Sequence, residues 1–419
     1  MSHVAASRRS LPRVVVTGMG SVSCAGAGNH HLLDALRHGR SGLRHMAPFE
    51  TLGMRCQVGG PVDHAQLEEP PRKLRRFLPV TAWYAWQAAR EAIEQSGLSE
   101  NDLSSAMCGL VMGGGAALSE HQVALENLAT RGIGRLSPYI VTRGMSSSVA
   151  AGLAHAFHIG GRSMVVTSAC TSGAHAIGQA MELIQLGKLQ RVICGGSEEL
   201  HDTTALWFDA MSALSANSNA QPANASRPYG LARDGFVMAA GAGVLVLESL
   251  ECAQARGATI IAELVGYGAS TDAESMVGPG AAGIADAMRQ ALEQSEHSPE
   301  YINTHACSTP LGDLAEWDAI AQVCRERDMA VPPLSSIKGL IGHAPAAAGA
   351  LDAIASLLMM QHGFLSAGLG VAERDPAFDD APLLTAMTEQ RVHCVLSNSF
   401  GFGGSCASLL FHSHDGGHA

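Results

Sequence analysis

The sequence predicts an α/β protein built from two halves of similar organisation. Short apolar segments typical of buried strands alternate with alanine-rich segments typical of helices, and this alternation indicates an α/β fold. Two stretches, residues 163–187 and 342–363, each contain a helix rich in glycine and alanine that would be packed on nearly every side. We therefore expect an internal duplication, with residues 1–253 and 254–419 as the halves and the active site where they meet.

The individual elements are predicted from local residue patterns along the chain. Short apolar or β-branched runs predict strands, and longer alanine-rich runs predict helices. The predicted strands are residues 13–17, 106–112, 164–166, 191–194, 242–247, 259–266, 299–303 and 334–337. The predicted helices are residues 80–95, 119–129, 146–156, the segment after Cys170, and 342–363. Residues 17–28 are glycine-rich but lack GxGxxG spacing, so they predict a packing turn rather than a dinucleotide site.

Composition and charge exclude several classes of protein. The chain has 419 residues, of which 47% are hydrophobic and 16% charged, so it can bury a large core. A formal net charge of −11 disfavours a general nucleic-acid-binding protein. No apolar run reaches membrane-spanning length, and residues 1–13 are too short and too polar for a signal peptide. Ten cysteines without a CxxC pair indicate neither a disulfide framework nor a zinc site, so we expect a cytoplasmic protein.

Cys170 lies at the predicted corner between a strand and a helix. The apolar run 164–166 predicts a buried strand, and Thr171 and Ser172 then occupy typical N-cap positions. Backbone N–H groups and the helix dipole at such a corner favour a thiolate, whereas apolar burial raises the pKa of a thiol. Taken alone, Cys170 is more often a small buried hydrophobic residue than a nucleophile.

Two of the nineteen histidines stand out by their context. His305 follows the predicted strand 299–303, and His343 directly precedes the second central helix. Each alone is more often a structural histidine, but strand ends and helix starts are where α/β proteins gather catalytic groups. Together with Cys170 they suggest a Cys-His-His site.

Five motifs resemble those of the elongating β-ketoacyl-acyl carrier protein synthases. They occur in that family's order and spacing from about residue 14 to residue 411, nearly the whole chain. The segments GGSEEL, FDAMSALS and TDAESMVGP are more similar to the ketoacyl synthase I branch than to branch II. The five motifs are TSACTSGAHAIG, RPYGLARDGFVMAAGAG, YINTHACSTPLGDLAEWDAI, SSIKGLIGHAPAAAG and LSNSFGFGGSCASLLF.

The resemblance implies a fold and a set of partners. The fold would be a duplicated thiolase-like fold, layered α-β-α-β-α with two buried central helices. The implied partners are an acyl carrier protein and a second, identical subunit, with a heterodimer with a related subunit as the alternative. Substrates would be carried on the phosphopantetheine of the carrier protein, so no cofactor, metal, nucleic acid or membrane is expected.

The resemblance also implies a decarboxylating Claisen condensation in fatty acid elongation. Cys170 would take the acyl chain from a carrier-protein thioester. His305 and His343 would donate hydrogen bonds to the enolate oxygen that forms when malonyl-carrier protein loses CO₂. Backbone N–H groups of Cys170 and Phe402 would form the oxyanion hole. Lys338 matches a family lysine that either tunes the protonation of the histidines or forms a purely structural ion pair.

Aromatic and small residues are implied to shape the acyl pocket. Phe400 and Phe402 lie between glycines in NSFGFGGS, so they either gate the acyl tunnel or belong to the core, and gating of Phe402 is favoured. Phe208 and Phe236 match tunnel-lining positions. Ala116 matches the position at the far end of the acyl chain, where its small side chain would leave room.

A basic run in an otherwise acidic chain is implied to bind the carrier protein. The segment PRKLRRF contains Arg72, Lys73 and Arg76, which match family positions that meet the acidic carrier protein. The alternative is an ordinary solvated face.

The motifs also depart from the family pattern. Cys307 replaces a threonine that hydrogen-bonds the pantetheine arm, whereas Thr309 is retained. In GHAPAAAG, Pro345 falls in the first helical turn and Ala347 is taken as the replacement of a glycine; Asp352 stands where the family usually has glutamate. These changes suggest a ketosynthase of a specialised polyketide or polyene pathway as one alternative. A non-catalytic partner subunit of the chain-length-factor type is another, although such subunits lack the nucleophile.

Overall fold

The computed structural model describes residues 11–115, 117–278 and 280–414. The strands are β1 Val14–Ser23, β2 Gly26–Ala27, β3 Arg44–His45, β4 Val58–Gly59, β5 Cys108–Gly113, β6 Ser163–Val166, β7 Arg191–Glu198, β8 Gly241–Ser249, β9 Ala262–Thr271, β10 Tyr301–Asn303, β11 Leu334–Ser335, β12 Cys394–Gly401 and β13 Ser405–His412. The α-helices are α1 Asn29–His38, α2 Ala47–Thr51, α3 Arg72–Arg75, α4 Val80–Ser96, α5 Glu100–Ser104, α6 Leu118–Arg131, α7 Ile140–Gly144, α8 Ser148–Phe157, α9 Ser172–Gln185, α10 Asp202–Ala210, α11 Leu250–Ala255, α12 Ala281–Glu293, α13 Pro310–Glu326, α14 Lys338–Ile341 and α15 Pro345–His362. Short 3₁₀ helices cover His64–Gln66, Ile133–Arg135, Ala169–Thr171, Pro222–Asn224, Val371–Glu373 and Pro376–Phe378.

The main sheet consists of two five-strand sets with the same internal order. In the first half the order is β6-β5-β7-β8-β1, and in the second it is β11-β10-β12-β13-β9. Numbered along the chain within its half, each set therefore reads third, second, fourth, fifth, first. The corresponding strand pairs also agree in being parallel or antiparallel. This repetition agrees with the predicted internal duplication, while the division after residue 253 stays a prediction.

The two halves are joined through their first strands and their central helices. β1 and β9 pair antiparallel over three residues of each strand. α9 and α15 pack against each other and against strands of both halves, whereas α4 and α8 pack mainly against the first set of strands and α12 mainly against the second. A Cβ atom on Gly349 would lie 2.7 Å from the backbone nitrogen of Ala174, so glycine is needed where the two helices meet. The layered, thiolase-like α/β prediction is confirmed.

Three features differ from the sequence predictions. β6 is an edge strand and not buried: Ser163 is exposed and the next three residues are half-buried. The segment 17–28 is not a turn throughout, because β1 continues to Ser23. Its glycines are nevertheless explained by packing, since Cβ atoms on Gly18 and Gly20 would lie 2.0 and 2.1 Å from carbonyl oxygens of α4. β7 and β9 are longer than predicted because their glycines continue the strands.

Two further observations concern the chain as a whole. All ten cysteines are free thiols, and eight of them are buried. None of the helices within residues 11–414 that the structure describes is long and apolar enough to cross a membrane.

Candidate active site

Cys170 lies in a tight corner that precedes the central helix of the first half. It is the middle residue of the 3₁₀ turn Ala169–Thr171 between β6 and α9. Ala169 adopts a left-handed backbone conformation with φ of 51°, which is strained for a residue other than glycine. The corner is held locally, because the Ser172 hydroxyl accepts from the Ser168 N–H at 2.9 Å. Thr171 is the N-cap residue as predicted, but its side chain makes no capping hydrogen bond.

The fold brings both predicted histidines to Cys170. His343 Nε2 lies 3.0 Å from the Cys170 sulfur. The rings of His305 and His343 are edge-on, with their centroids 5.3 Å apart. His343 lies between α14 and α15 and is held by backbone hydrogen bonds to Val237 and Ala239 of the first half. The nucleophile and the two imidazoles therefore come from different halves and meet at their junction.

Burial dominates the electrostatics of this cluster. It raises the pKa of Cys170 to about 12, although a hydrogen bond from the Phe402 backbone N–H works in the opposite direction. Burial, together with the charge of Lys338, lowers the pKa of His343 to about 3. The same two causes, with His343 as a third, lower the pKa of His305 well below its usual range. The resting site therefore holds a neutral thiol and neutral imidazoles, and burial outweighs the helix-terminus effect at Cys170.

Lys338 is itself buried in an ion pair. Its Nζ lies 2.7 Å from Asp352 Oδ2, and both side chains are at most 2% exposed. Lys338 nevertheless contributes to the lowered pKa of both histidines. The two alternatives drawn from the sequence, an ion pair and a tuning charge, are thus compatible in one residue.

Two buried carboxylates that the sequence analysis missed hold the loop after β10. Glu316 accepts hydrogen bonds from the N–H groups of His305 and Ala306, at 2.9 and 2.8 Å. Asp313 accepts from the N–H groups of Cys307 and Thr309, at 3.1 and 3.2 Å. Both acidic residues lie in the first two turns of α13. Acidic residues early in a helix that follows a candidate catalytic loop are the signal that would have found them.

A cavity of about 580 Å³ leads to the cluster from the surface. Its lining includes Cys170, His305 and His343, and also the predicted binding residues Cys307, Thr309, Phe236, Phe400 and Phe402. Phe208 packs against Phe236 and Phe402, with ring centroids 5.2 and 5.5 Å apart. Phe400 is 2% exposed and lies beside His305, so it belongs to the packed wall. Phe402 is half-buried at the cavity surface.

The segment that carries Phe402 makes close backbone contacts on both sides. A Cβ atom on Gly401 would lie 3.0 Å from the Cys170 nitrogen. Gly403 donates to the Met276 carbonyl at 2.9 Å, and Gly404 accepts from the Asp272 N–H at 2.7 Å. Gly403 and Gly404 have φ values of 80° and 76°, which favour glycine. The ring of Phe402 is therefore presented by a strand end tied to the β9–α12 loop.

The remaining predicted residues lie elsewhere or differ in detail. Arg72 and Lys73 are exposed on α3, and Arg76 stacks over Phe77, with its guanidinium 4.9 Å from the ring centroid. Ala116 lies outside the described residues. The Cys307 sulfur is 3.9 Å from the Thr309 hydroxyl. The family pattern GHxxGAAG has a glycine at its fifth position. The fifth residue of GHAPAAAG is Ala346, so the replacement falls at Ala346 and the assignment to Ala347 was wrong by one residue.

No group of three or more His, Cys, Asp or Glu side chains in the described part of the chain is arranged to hold a metal ion. The Cys-His-His cluster, its cavity and the buried carboxylates bring together the groups that thiol chemistry requires.

Comparison with known proteins agrees with this geometry. Residues 12–253 match the family "Beta-ketoacyl synthase, N-terminal domain", and residues 261–372 match "Beta-ketoacyl synthase, C-terminal domain". The chain is 42% identical to the 3-oxoacyl-[acyl-carrier-protein] synthase 1 of Haemophilus influenzae, covering 97% of this chain and 100% of that protein. This relative agrees with the similarity to the synthase I branch.

Solved structures resemble the chain over nearly its full length. The crystal structure of a Beta-ketoacyl synthase from Burkholderia phymatum STM815 has a TM-score of 0.89 at 32% identity, covering 96% of this chain and 100% of that one. The AntDE:AntF complex, a type II PKS acyl-carrier protein with its ketosynthase, has a TM-score of 0.87 at 27% identity, covering 97% and 100%. The chain belongs to the beta-ketoacyl synthase family.

Proposed function

We propose that the chain catalyses the decarboxylating condensation of an acyl-Cys170 intermediate with malonyl-acyl carrier protein in fatty acid elongation. The products are 3-oxoacyl-carrier protein, CO₂ and the free carrier protein. The observation that carries the proposal is the contact of 3.0 Å between the Cys170 sulfur and His343 Nε2 at the end of an open cavity, with His305 alongside. Family membership supports the same chemistry.

The first half-reaction transfers the acyl group. The Cys170 sulfur attacks the carbonyl carbon of the acyl thioester while its proton passes to His343 Nε2. The bond from that carbon to the pantetheine sulfur then breaks, and the departing thiolate takes the proton back from His343. The exchange converts one thioester into another of similar energy. Its barrier therefore depends mainly on forming the Cys170 thiolate in a site where burial favours the thiol.

Backbone N–H groups are available for the charge that develops on the acyl oxygen. The backbone N–H groups of Phe402 and Cys170 both act to lower the pKa of the Cys170 thiol, so both lie close to its sulfur. They therefore converge on the atom to which the acyl carbonyl becomes attached. An oxyanion bound there is stabilised by donors that are already oriented.

The second half-reaction removes CO₂ from the malonyl group. The electrons of the broken C–C bond move onto the thioester carbonyl and form an enolate, whose oxygen accepts hydrogen bonds from His305 and His343. Neutral imidazoles suit this task, because each has one N–H donor to offer. His343, whose Nε2 is a proton acceptor during acyl transfer, takes the Nε2–H tautomer for this step, because Nε2 is the nitrogen at the Cys170 sulfur. The enolate carbon attacks the acyl carbonyl, and Cys170 leaves as a thiolate that is reprotonated from solvent.

The carrier protein is the proposed partner. The AntDE:AntF complex shows such a carrier protein bound to a related ketosynthase. Arg72 and Lys73 are exposed and able to meet an acidic surface, whereas Arg76 is partly engaged by Phe77 and Tyr139. Because the acyl groups are delivered as carrier-bound thioesters, the reaction needs no metal or small-molecule cofactor.

A homodimer is proposed from the open edge of the sheet. β6 ends the strand order of the first half with only β5 beside it. In the same half, the segment from α6 to α7 buries no residue and exposes five large apolar side chains. They are Val123, Leu125, Leu128, Ile133 and Val141, from 45% to 79% exposed. An exposed edge strand together with an exposed apolar surface is typical of a subunit interface. Ten free thiols are consistent with a cytoplasmic location.

A polyketide or polyene pathway is the second candidate, favoured by the replacement at Cys307 and by the likeness to the AntDE:AntF ketosynthase. Elongation of fatty acids is preferred because identity to the Haemophilus influenzae synthase 1 is higher, 42% against 27%. An inactive partner subunit is disfavoured, because the chain retains Cys170, His305 and His343 in the lining of one cavity, with Cys170 and His343 in contact.

The test is a condensation assay with the purified protein. Acyl-carrier protein and malonyl-carrier protein are incubated with it, and CO₂ release and 3-oxoacyl-carrier protein are measured together. We expect both products in equal amounts. CO₂ release without 3-oxoacyl product, or no reaction with any acyl chain length, would contradict the proposal.

A further inference from the structure

The central helix of the second half does not cap its own N-terminus. Its N-cap residue, Ala344, has no side-chain acceptor, and Pro345 has no N–H. The N–H of Ala347 donates to the Ala344 carbonyl at 2.9 Å. The N–H of Ala346 donates instead to Glu198 Oε2 at 3.0 Å. A carboxylate from another element thus supplies the cap that the helix lacks.

Glu198 reaches this position because β7 ends between the starts of both central helices. A Cβ atom on Gly196 would lie 2.0 Å from the Ala346 carbonyl oxygen and 3.1 Å from the Gly173 Cα. The end of β7 therefore touches the first turns of α15 and α9 at once. Those helices begin two residues after His343 and Cys170, respectively, so Glu198 borders the two residues that react.

The charge of Glu198 is also relevant to the nucleophile. Burial raises the pKa of Glu198 to about 7, against the opposing effect of the Ala346 hydrogen bond. Above that pH the carboxylate is ionised, and its negative charge contributes to the raised pKa of Cys170. The other charged and titratable groups around the thiol are Lys338, which is paired with Asp352, and the neutral His305, His343 and Cys307.

We propose that Glu198 is a positioning residue that caps α15, thereby holds His343 against Cys170, and adds its negative charge to the burial that disfavours a thiolate at Cys170. This inference deepens the proposed function and rests on it for its catalytic meaning. A protonated thiol reacts slowly with adventitious electrophiles, so the arrangement protects the nucleophile between turnovers.

Two substitutions separate the cap from the charge. Glu198→Gln keeps an oxygen for the Ala346 N–H but removes the charge, whereas Glu198→Ala removes both. Glu199→Gln is the matched control, because Glu199 is the neighbouring carboxylate and accepts from the N–H and hydroxyl of Ser119 in α6, at 3.1 and 2.6 Å, instead of from the start of α15.

The first readout is the rate at which iodoacetamide alkylates Cys170 in the free protein. Loss of a nearby charge lowers the thiol pKa by about half to one unit, which is about three- to tenfold in thiolate at about pH 8.5. We expect this acceleration in Glu198→Gln and not in Glu199→Gln. The difference from wild type should shrink as the pH falls below about 7, where Glu198 is protonated in wild type as well. An unchanged alkylation rate in Glu198→Gln would overturn the charge effect.

The second readout is the condensation rate. We expect kcat to fall about tenfold or more in Glu198→Ala with KM little changed, and to be largely rescued in Glu198→Gln, because the cap is restored. Equal kcat in both variants and wild type would overturn the capping role. The alkylation readout needs no carrier protein. If the wild-type protein did not condense but Glu198→Gln still showed the alkylation shift, the proposed function would be refuted and the effect of the Glu198 charge on Cys170 would stand.

Discussion

The two halves share one strand order but carry different parts of the chemistry. In each half the central helix begins at the active site, and the residue that reacts lies two positions before the first helical residue: Cys170 before α9 and His343 before α15. The first half supplies the nucleophile in a strained corner. The second supplies two imidazoles: His305, whose backbone N–H is held by the buried Glu316, and His343, held by backbone hydrogen bonds to the first half. The two halves therefore place their reacting residues at equivalent positions before the central helices, but the side chains there differ and take complementary roles.

The halves also end differently. The edge strand of the second half, β11, is buried, and the chain covers it, with Leu334 bridged to Leu383. The edge strand of the first half, β6, is half-exposed, and the same half also exposes an apolar surface on α6 and α7. One end of the sheet is therefore closed by its own chain, and the other is available to a partner.

The largest expected effect comes from removing the nucleophile of the first half. We expect Cys170→Ala to lower condensation by at least about a thousandfold, because no acyl-enzyme can form. The free energy of unfolding should fall by about 1 kcal/mol or less, since a small side chain remains among small neighbours. Carrier-protein elongation assays and thermal unfolding measure the two effects, and residual elongation near the wild-type rate would rule out Cys170 as the nucleophile.

Histidine substitutions in the second half should separate the half-reactions. We expect His305→Ala to lower malonyl decarboxylation by about a hundredfold or more, because an enolate donor is lost, with little effect on acyl transfer. His343→Ala should impair both steps, since its Nε2 also contacts the thiol at 3.0 Å. Single-turnover measurements of each half-reaction test this, and an equal loss of both steps in His305→Ala would indicate a structural role.

The proposed subunit interface at the open end of the sheet can be tested by measuring the oligomeric state. We expect the double substitution Leu125→Glu and Ile133→Glu to convert a dimer into a monomer, because charges would be buried in the interface. Leu52→Glu is the control at another exposed leucine, 49% exposed. Sedimentation velocity distinguishes the states. A wild-type monomer, or a double variant that remains dimeric, would contradict an interface at this end.

The outer contact with the carrier protein should depend on the first half. We expect Arg72→Glu with Lys73→Glu to raise KM for carrier-bound substrates about tenfold, because complementary charge becomes repulsive. Short thioesters without the carrier protein should react as before. Lys188→Glu reverses an exposed lysine elsewhere and serves as the control. If all substrates were affected alike, the basic run would have a structural role.

The inner contact with the pantetheine arm should depend on the second half. A thiol is a weaker hydrogen-bond partner than a hydroxyl, by about 0.5–1.5 kcal/mol, so we expect Cys307→Thr to lower KM for malonyl-carrier protein up to about tenfold. Its kcat should hardly change, because the arm is bound before and after CO₂ leaves. Cys252→Ser, outside the cavity, is the control. A raised KM in Cys307→Thr would mean that the pocket is built around the cysteine.

The sequence was sufficient for the fold class and for the three reacting residues, because motifs and periodicity are local and co-linear. It could not reveal that Glu198 caps α15, since Glu198 and Ala346 are 148 residues apart along the chain. Asp313 and Glu316 lie only 4 to 11 residues from their partners, and their place early in α13 was the available signal. Nor could the sequence tell that β6 is an edge strand, because a short apolar run fits a strand buried on both faces as well as a partly exposed strand. The balance at Cys170 between burial and the helix terminus likewise required the packed structure.

The central claim is that the thiol from the first half carries the acyl chain and the histidines from the second half act on malonyl. The most direct measurement is peptide mapping by mass spectrometry after incubation with acyl-carrier protein alone. We expect one acyl group per chain, on the peptide that contains Cys170. This acyl group should disappear when malonyl-carrier protein is added to the wild-type protein and should persist in His305→Ala. An acyl group on another residue such as Cys307, or no adduct in a chain that still condenses, would contradict the central claim.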